Sequence, residues 1–305
     1  MIRHYIHIAR PDHWFKNIFM FPGMLMGLYY KGFRLGSVSV VTILIGLLAT
    51  CLIASANYVI NEWHDMEFDK FHPVKKNRPA LIANLDARII YIEYAALAVT
   101  GLILSYFVSI PFLITEAFFL LMGLIYNVKP LRTKDKVYLD VLSESVNNPI
   151  RFVLGWQLMG ILLFPPSSIL VAYWMGGAFL MSTKRFAEFR FIDNPELAGK
   201  YRRSFRFYTE ERLLIATVFY ALCSSFFLAI FLIKHRIELL ISFPFLALLF
   251  AWYLHIGFEK NSIVQTPEKL FQKKGFLAYV FFLSVLLVVL LRIDIPALSW
   301  FIKNY

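Results

Sequence analysis

Apolar residues along the chain gather in nine runs, at roughly 14–31, 38–60, 88–109, 111–128, 138–163, 167–185, 212–233, 238–258 and 275–295. Each is near the ~20 residues that a helix needs to cross the hydrocarbon core of a bilayer. The pattern predicts an all-α fold, a polytopic membrane bundle of nine transmembrane helices. The fifth run starts with polar residues, and the third and fourth are parted by the turn around Ser109-Ile110-Pro111. No low-complexity linker and no firm internal repeat interrupts the series.

Charge orients this bundle. Nine crossings put the two termini on opposite sides, and 24 of the 31 Lys and Arg then fall on the N-terminal side, six on the other, with Arg151 inside a span. Basic residues accumulate in cytoplasmic loops. The expectation is a multi-pass protein of the inner (cytoplasmic) membrane, N-terminus cytoplasmic and C-terminus outside. The loops on the basic side are long and polar, so an active-site cavity belongs on the cytoplasmic side. Composition agrees, because 59% hydrophobic residues and a mean hydropathy of +0.62 exceed what a soluble domain needs. The net charge of +11 reads as loop bias or an anionic substrate, and no nucleic acid partner is inferred. Cys51 and Cys223 both lie in apolar runs, which argues against a disulfide framework or a Cys metal site. The opening MIRHYIHIARPDHW has no apolar core before a cleavage site, so no signal peptide is expected. A homo-oligomer is left open.

The chemistry concentrates in Asn57–Pro79, NYVINEWHDMEFDKFHPVKKNRP. Asn57, Asn61, Asp65 and Asp69 recur every four residues and drift only ~40° per step on a helix, forming one polar stripe. Glu62 flanks it, and Lys75, Lys76 and Arg78 follow once His72-Pro73 has ended the helix. Carboxylates at the mouth of a membrane helix are costly unless they hold something, most simply Mg²⁺ carrying phosphate. The plainer reading is a helix end capped by solvated charges. A second polar face runs through Asp140, Glu144, Asn147, Asn148 and Arg151, after the Tyr126…Lys129 turn; its plainer reading is an internal pair of Glu144 with Arg151 or Asn148. Lys184-Arg185-Phe186-Ala187-Glu188 and the Tyr201–Tyr208 stretch complete the basic side, where stop-transfer charge is the competing explanation. No Gly-rich phosphate loop, His/Cys metal spacing or nucleophile elbow is present.

Asn61-Glu62-Trp63-His64-Asp65-Met66-Glu67-Phe68-Asp69 resembles the NDxxDxxxD signature of the UbiA-type intramembrane prenyltransferase superfamily, with Glu62 in place of the usual Asp. Arg10-Pro11…Trp14…Lys16-Asn17, Arg78-Pro79, Tyr126…Lys129 and the nine-helix count extend the resemblance, implying a single UbiA-like transmembrane domain over 1–305. Typical members carry a second Asp-rich motif after the sixth helix. This chain has Lys184-Arg185-Phe186-Ala187-Glu188 there, similar to the branch of decaprenyl-phosphate phosphoribosyltransferases, and Tyr208-Thr209…Leu213 resembles a stretch of the same branch.

The resemblance implies transfer of 5-phosphoribose from phosphoribosyl diphosphate (PRPP) to a polyprenyl phosphate lipid, such as decaprenyl phosphate, with Mg²⁺ as cofactor. Asn61, Asp65 and Asp69, assisted by Glu62, are the expected metal and catalytic groups. Asn57, Lys75, Lys76, Arg78, Lys129, Asn148, Arg151, Lys184, Arg185, Glu188 and Tyr208 are the expected substrate-binding set. Charge bookkeeping points the same way: a diphosphate, a 5-phosphate and a lipid phosphate need Lys and Arg beyond what carboxylates and Mg²⁺ serve. Two alternatives stand beside it. One is a transferase moving prenyl diphosphate to an aromatic acceptor, for which Glu188 would replace the missing acidic motif. The other is an anion transporter, disfavoured because the polar groups gather at one face.

Overall fold

A computed structural model of the chain describes residues 2–36, 38–83 and 85–299, and the described residues form helices and turns with no strand. In chain order the α-helices are α1 (Ile2–Ile8), α2 (Phe21–Tyr30), α3 (Val40–Asp69), α4 (Pro79–Ile82), α5 (Ala87–Val108), α6 (Ile110–Asn127) and α7 (Leu139–Ser145). They continue as α8 (Asn147–Leu158), α9 (Ser167–Ile192), α10 (Pro195–Tyr201), α11 (Glu210–His235), α12 (Phe243–Gly257) and α13 (Lys274–Leu290).

Among the described residues five stretches are long and apolar enough to cross a membrane: α3, α5, α6, α11 and the run Ile237–Gly257 that ends in α12. The other expected crossings take different forms. Run 14–31 is a 3₁₀ segment, Pro11–Met20, followed by α2, with Pro22 in its first turn. Run 138–163 is divided between α7 and α8. Every residue of α8 from Ile150 to Leu158 is buried by protein, as in a short core helix. α9 ends in the charged Lys184–Arg190 stretch, and α13 has 17 residues.

The chain divides into two compact units, one of residues up to Phe164 with Ile192–Thr209, the other of Pro165–Phe191 with the residues from Glu210 onward. In the first, α3 is the axis. Ser39 caps it by accepting from the Val41 N–H at 3.0 Å, and the helix runs 30 residues to Asp69, before the Pro73 turn. It packs on α5 and α6 around Ile53, Phe112, Phe119 and Leu154. A second cluster, Ile8, Val59, Ala80, Leu85 and Ile90, fastens α1 and α4 to it. α2 lies against α8 at backbone contact: a Cβ at Gly23 would run into the Phe152 carbonyl oxygen, and one at Gly155 into that of Met20. Small residues permit such close crossings between membrane helices.

In the second unit, Phe179 of α9 stacks on Phe250 of α12 with ring centroids 4.6 Å apart. Serine and threonine hydroxyls supply the polar ties, Thr217 to Ser182 at 2.8 Å and Ser224 to the Ala172 carbonyl at 2.9 Å.

Candidate active site

The C-terminal end of α3 in the first unit carries the carboxylates. Asp65 and Asp69 line a pocket with Phe68, Arg132, Lys134, Asp135, Tyr201 and Arg202. One helical turn separates the two acids, so both reach the same opening. Asp65 Oδ1 accepts from Arg132 Nη2 at 3.1 Å and pairs with Lys134 Nζ. Asp69 Oδ2 pairs with Arg78. Lys75 Nζ meets the Tyr201 hydroxyl and lies 4.7 Å from its ring centroid. A row of acids therefore faces a row of bases across a small space.

Arg132 and Lys134 are fixed by more than charge. Arg132 donates to the carbonyls of Asn127 (2.7 Å) and His64 (3.2 Å) and to Asp135 (3.2 Å), with its guanidinium 4.9 Å from the Phe68 ring. Lys134 donates to Asn127 Oδ1 at 2.7 Å. Burial pushes the Lys134 ammonium down to about 8, the neighbouring Asp65 pulling it back up and Arg132 adding to the fall.

The upper half of the α3 stripe does other work. Asn57 Nδ2 donates to the Phe119 carbonyl at 3.1 Å and Asn61 Nδ2 to Asn127 Oδ1 at 2.6 Å, so these amides fasten α3 to α6. Glu62, expected beside Asp65 as a metal ligand, points elsewhere. It is buried, its Oε2 accepts from Arg10 Nε at 2.9 Å, and its Oε1 accepts the Ala80 N–H at 3.4 Å. Lying ~100° around the helix from Asn61, it belongs to the adjoining face.

The remaining expected residues divide. Lys76 and Lys129 are exposed. Arg151 is buried, donates to Asn17 Oδ1 at 2.9 Å and stands 4.7 Å over the Phe119 ring; Asn148 is half-buried on the same helix. Tyr208 is buried with its hydroxyl on Asp140. In the second unit, Arg185 Nη1 donates to Glu188 Oε2 at 3.3 Å, one turn along α9, and Lys184 is half-buried. Arg132 and Lys134 lie in the Lys129–Lys136 turn and Arg202 in the Tyr201–Tyr208 stretch, both marked by the sequence, yet none of the three is in the expected substrate-binding set. Their register depends on backbone the sequence does not signal, since Arg132 and Tyr138 are non-glycine residues at φ 30° and 62°.

Does the pocket suit a divalent ion? Among the described residues no three His, Cys, Asp or Glu side chains gather as a metal group. The two acids, however, are hard oxygen donors, and their ion pairs fall on one oxygen each, Oδ1 of Asp65 and Oδ2 of Asp69. That donor set fits Mg²⁺ arriving with phosphate oxygens of its own, as this ion commonly does, rather than an all-protein cage.

A helical, multi-pass membrane protein with a carboxylate stripe facing bases at one helix end defines the class. The profile of the UbiA prenyltransferase family matches residues 20–286, and the chain belongs to that family. The chain is 27% identical over 209 residues to the decaprenyl-phosphate phosphoribosyltransferase of Mycolicibacterium smegmatis, an alignment covering 68% of this chain and 63% of that protein. It is 26% identical to the protein of the same name from Mycobacterium tuberculosis, over 68% of this chain and 67% of the relative. Among solved structures, a UbiA homolog from Archaeoglobus fulgidus bound to GPP and Mg²⁺ has the same fold, with a TM-score of 0.68 at 21% identity, over 92% of this chain and 99% of that one.

Proposed function

We propose that this protein moves 5-phosphoribose from phosphoribosyl diphosphate to a polyprenyl phosphate within the membrane. The observation that carries the proposal is the pocket in which Asp65 and Asp69 meet Arg132 and Lys134, with Arg78 paired to Asp69. Such a set suits a metal-bound diphosphate, the acids serving the metal and the bases the phosphate oxygens. In the reaction the ribose C1–O bond to diphosphate breaks and an oxygen of the lipid phosphate bonds to C1. Diphosphate leaves with the electron pair. No base is needed, because a phosphate monoester is already ionised near neutral pH.

Mg²⁺ bound at Asp65 and Asp69 would neutralise charge on the departing diphosphate. Arg132 and Lys134 hold the diphosphate oxygens, Arg78 and Lys75 close on them from the loop after α3, and Arg202 sits at the rim. Asn61 sets α3 against α6 at the height that presents Asp65.

The phosphoribosyl donor is favoured over a prenyl diphosphate by two features. Lys184-Arg185 stands where a second acidic motif would be needed, and the acid that would substitute, Glu188, is engaged by Arg185. The named relatives support the same choice. The proposal includes nine crossings of an inner membrane by one domain spanning 1–305, with the N-terminus and the active-site cavity cytoplasmic and the C-terminus outside, as the loop charges require.

The test is incubation of purified protein with labelled phosphoribosyl diphosphate and polyprenyl phosphate, or with labelled prenyl diphosphate and an aromatic acceptor, with and without a chelator. Chelator-sensitive label in a lipid-linked phosphoribose is the expected product. Label transferred only from prenyl diphosphate would replace this reading with the other.

A further inference from the structure

The segment that presents Arg132 and Lys134 is bent where no glycine helps it. Arg132 has φ 30° and ψ 61°, and Tyr138 has φ 62° and ψ −34°, on either side of the 3₁₀ turn Thr133–Asp135 that carries Lys134. Positive φ is unfavourable for residues with a Cβ, and most so for a bulky aromatic. Such backbone persists where the surroundings hold it.

At Tyr138 the holder is visible. Its N–H donates to the Tyr208 hydroxyl at 2.7 Å, and that hydroxyl donates to Asp140 Oδ1, also at 2.7 Å. Ser204 Oγ donates to Asp140 Oδ2 at 3.0 Å, and the Tyr138 and Tyr208 rings meet edge to face with centroids 5.7 Å apart. Asp140 and Ser204 are fully buried. One carboxylate thus ties the Arg203–Tyr208 stretch to the start of α7, immediately after the strained residue.

We propose that Tyr208, Asp140 and Ser204 are a latch holding the Arg132–Tyr138 segment in the strained form that aims Arg132 and Lys134 at Asp65. All three are positioning residues; Tyr208 acts through the Tyr138 backbone rather than by touching substrate. The inference rests on the reading above in one respect, that Arg132 and Lys134 receive phosphate. The strain itself is a property of the free protein.

The test uses full-length protein in detergent and the variants Tyr208→Phe, Ser204→Ala, Tyr138→Gly and the Tyr208→Phe/Tyr138→Gly double. Deuterium uptake by a peptide covering 130–138 reports the latch, and Mg²⁺–pyrophosphate titration reports its effect on the site. Tyr208→Phe should speed uptake there and weaken pyrophosphate binding about tenfold, the scale of a released backbone strain. Ser204→Ala, the milder lesion, should move both readouts in the same direction by less. Glycine at 138 adopts positive φ without help, so the double variant should regain most of the binding. A substrate-contacting Tyr208 would not be rescued by Tyr138→Gly, and that result overturns the latch, as does unchanged uptake in Tyr208→Phe. Wild-type protein that binds no pyrophosphate would refute the phosphate-site reading instead, while the uptake experiment still decides the latch.

Discussion

The Asp65–Lys134 contact offers a quantitative test of how acids and bases share the pocket. Their side chains are 13% and 4% exposed, and Arg132 reaches the same oxygen at 3.1 Å. Removing one partner of a buried pair costs ~3–5 kcal/mol when the survivor is stranded. Asp65→Asn does not strand its partners fully, because Arg132 keeps Asp135 at 3.2 Å and Lys134 keeps Asn127 Oδ1 at 2.7 Å. The expected cost is therefore at the low end, about 3 kcal/mol. Lys134→Met leaves Asp65 with Arg132 and should cost less, about 2 kcal/mol. The double variant strands neither an acid nor an ammonium, so it should cost roughly what Asp65→Asn costs alone, a coupling of about 2 kcal/mol. Stability is read from denaturant titration in mixed micelles, alongside transfer by the labelled-donor assay. Stability should show the coupling while transfer stays absent in both Asp65 variants, separating the fold's use of the pair from the reaction's. Costs that add to within ~0.5 kcal/mol would show that the two groups do not depend on one another.

Two further outcomes follow from single features. Lys134, held near 8 by burial, loses its charge as pH rises through that value, so metal-free pyrophosphate binding should fall above about pH 8. Lys134→Arg should abolish the binding decline, and a decline that survives that change assigns it to another group. At Gly155, helix propensity alone favours alanine by about 1 kcal/mol. The Met20 carbonyl in the path of a Cβ reverses the sign, so Gly155→Ala should destabilise by roughly 1–3 kcal/mol, and a thermal midpoint in detergent at or above wild type would contradict the close crossing of α2 and α8.

Much of the molecule is legible from hydrophobic runs, because a bilayer imposes the same length and polarity on each crossing helix whatever surrounds it. The runs at 38–60, 88–109, 111–128, 212–233 and 238–258 correspond to the five long apolar helical stretches. The four-residue spacing of Asn57 through Asp69 likewise marks one helical face, since periodicity is local. What tertiary structure decided is which part of that face meets which partner. Asn57 and Asn61 turn to α6, Asp65 and Asp69 to the pocket, and Glu62 to Arg10. It likewise selected Arg132 and Lys134 over the exposed Lys129, through a loop whose positive φ angles no glycine announces. It also cut the 138–163 run into α7 and the protein-buried α8. Sequence alone determined the five long apolar helical stretches, because backbone satisfaction in lipid is local to each segment; the pairing of charges was left to the fold, because it depends on loops whose shape is set by residues far along the chain, as Tyr208 sets Tyr138.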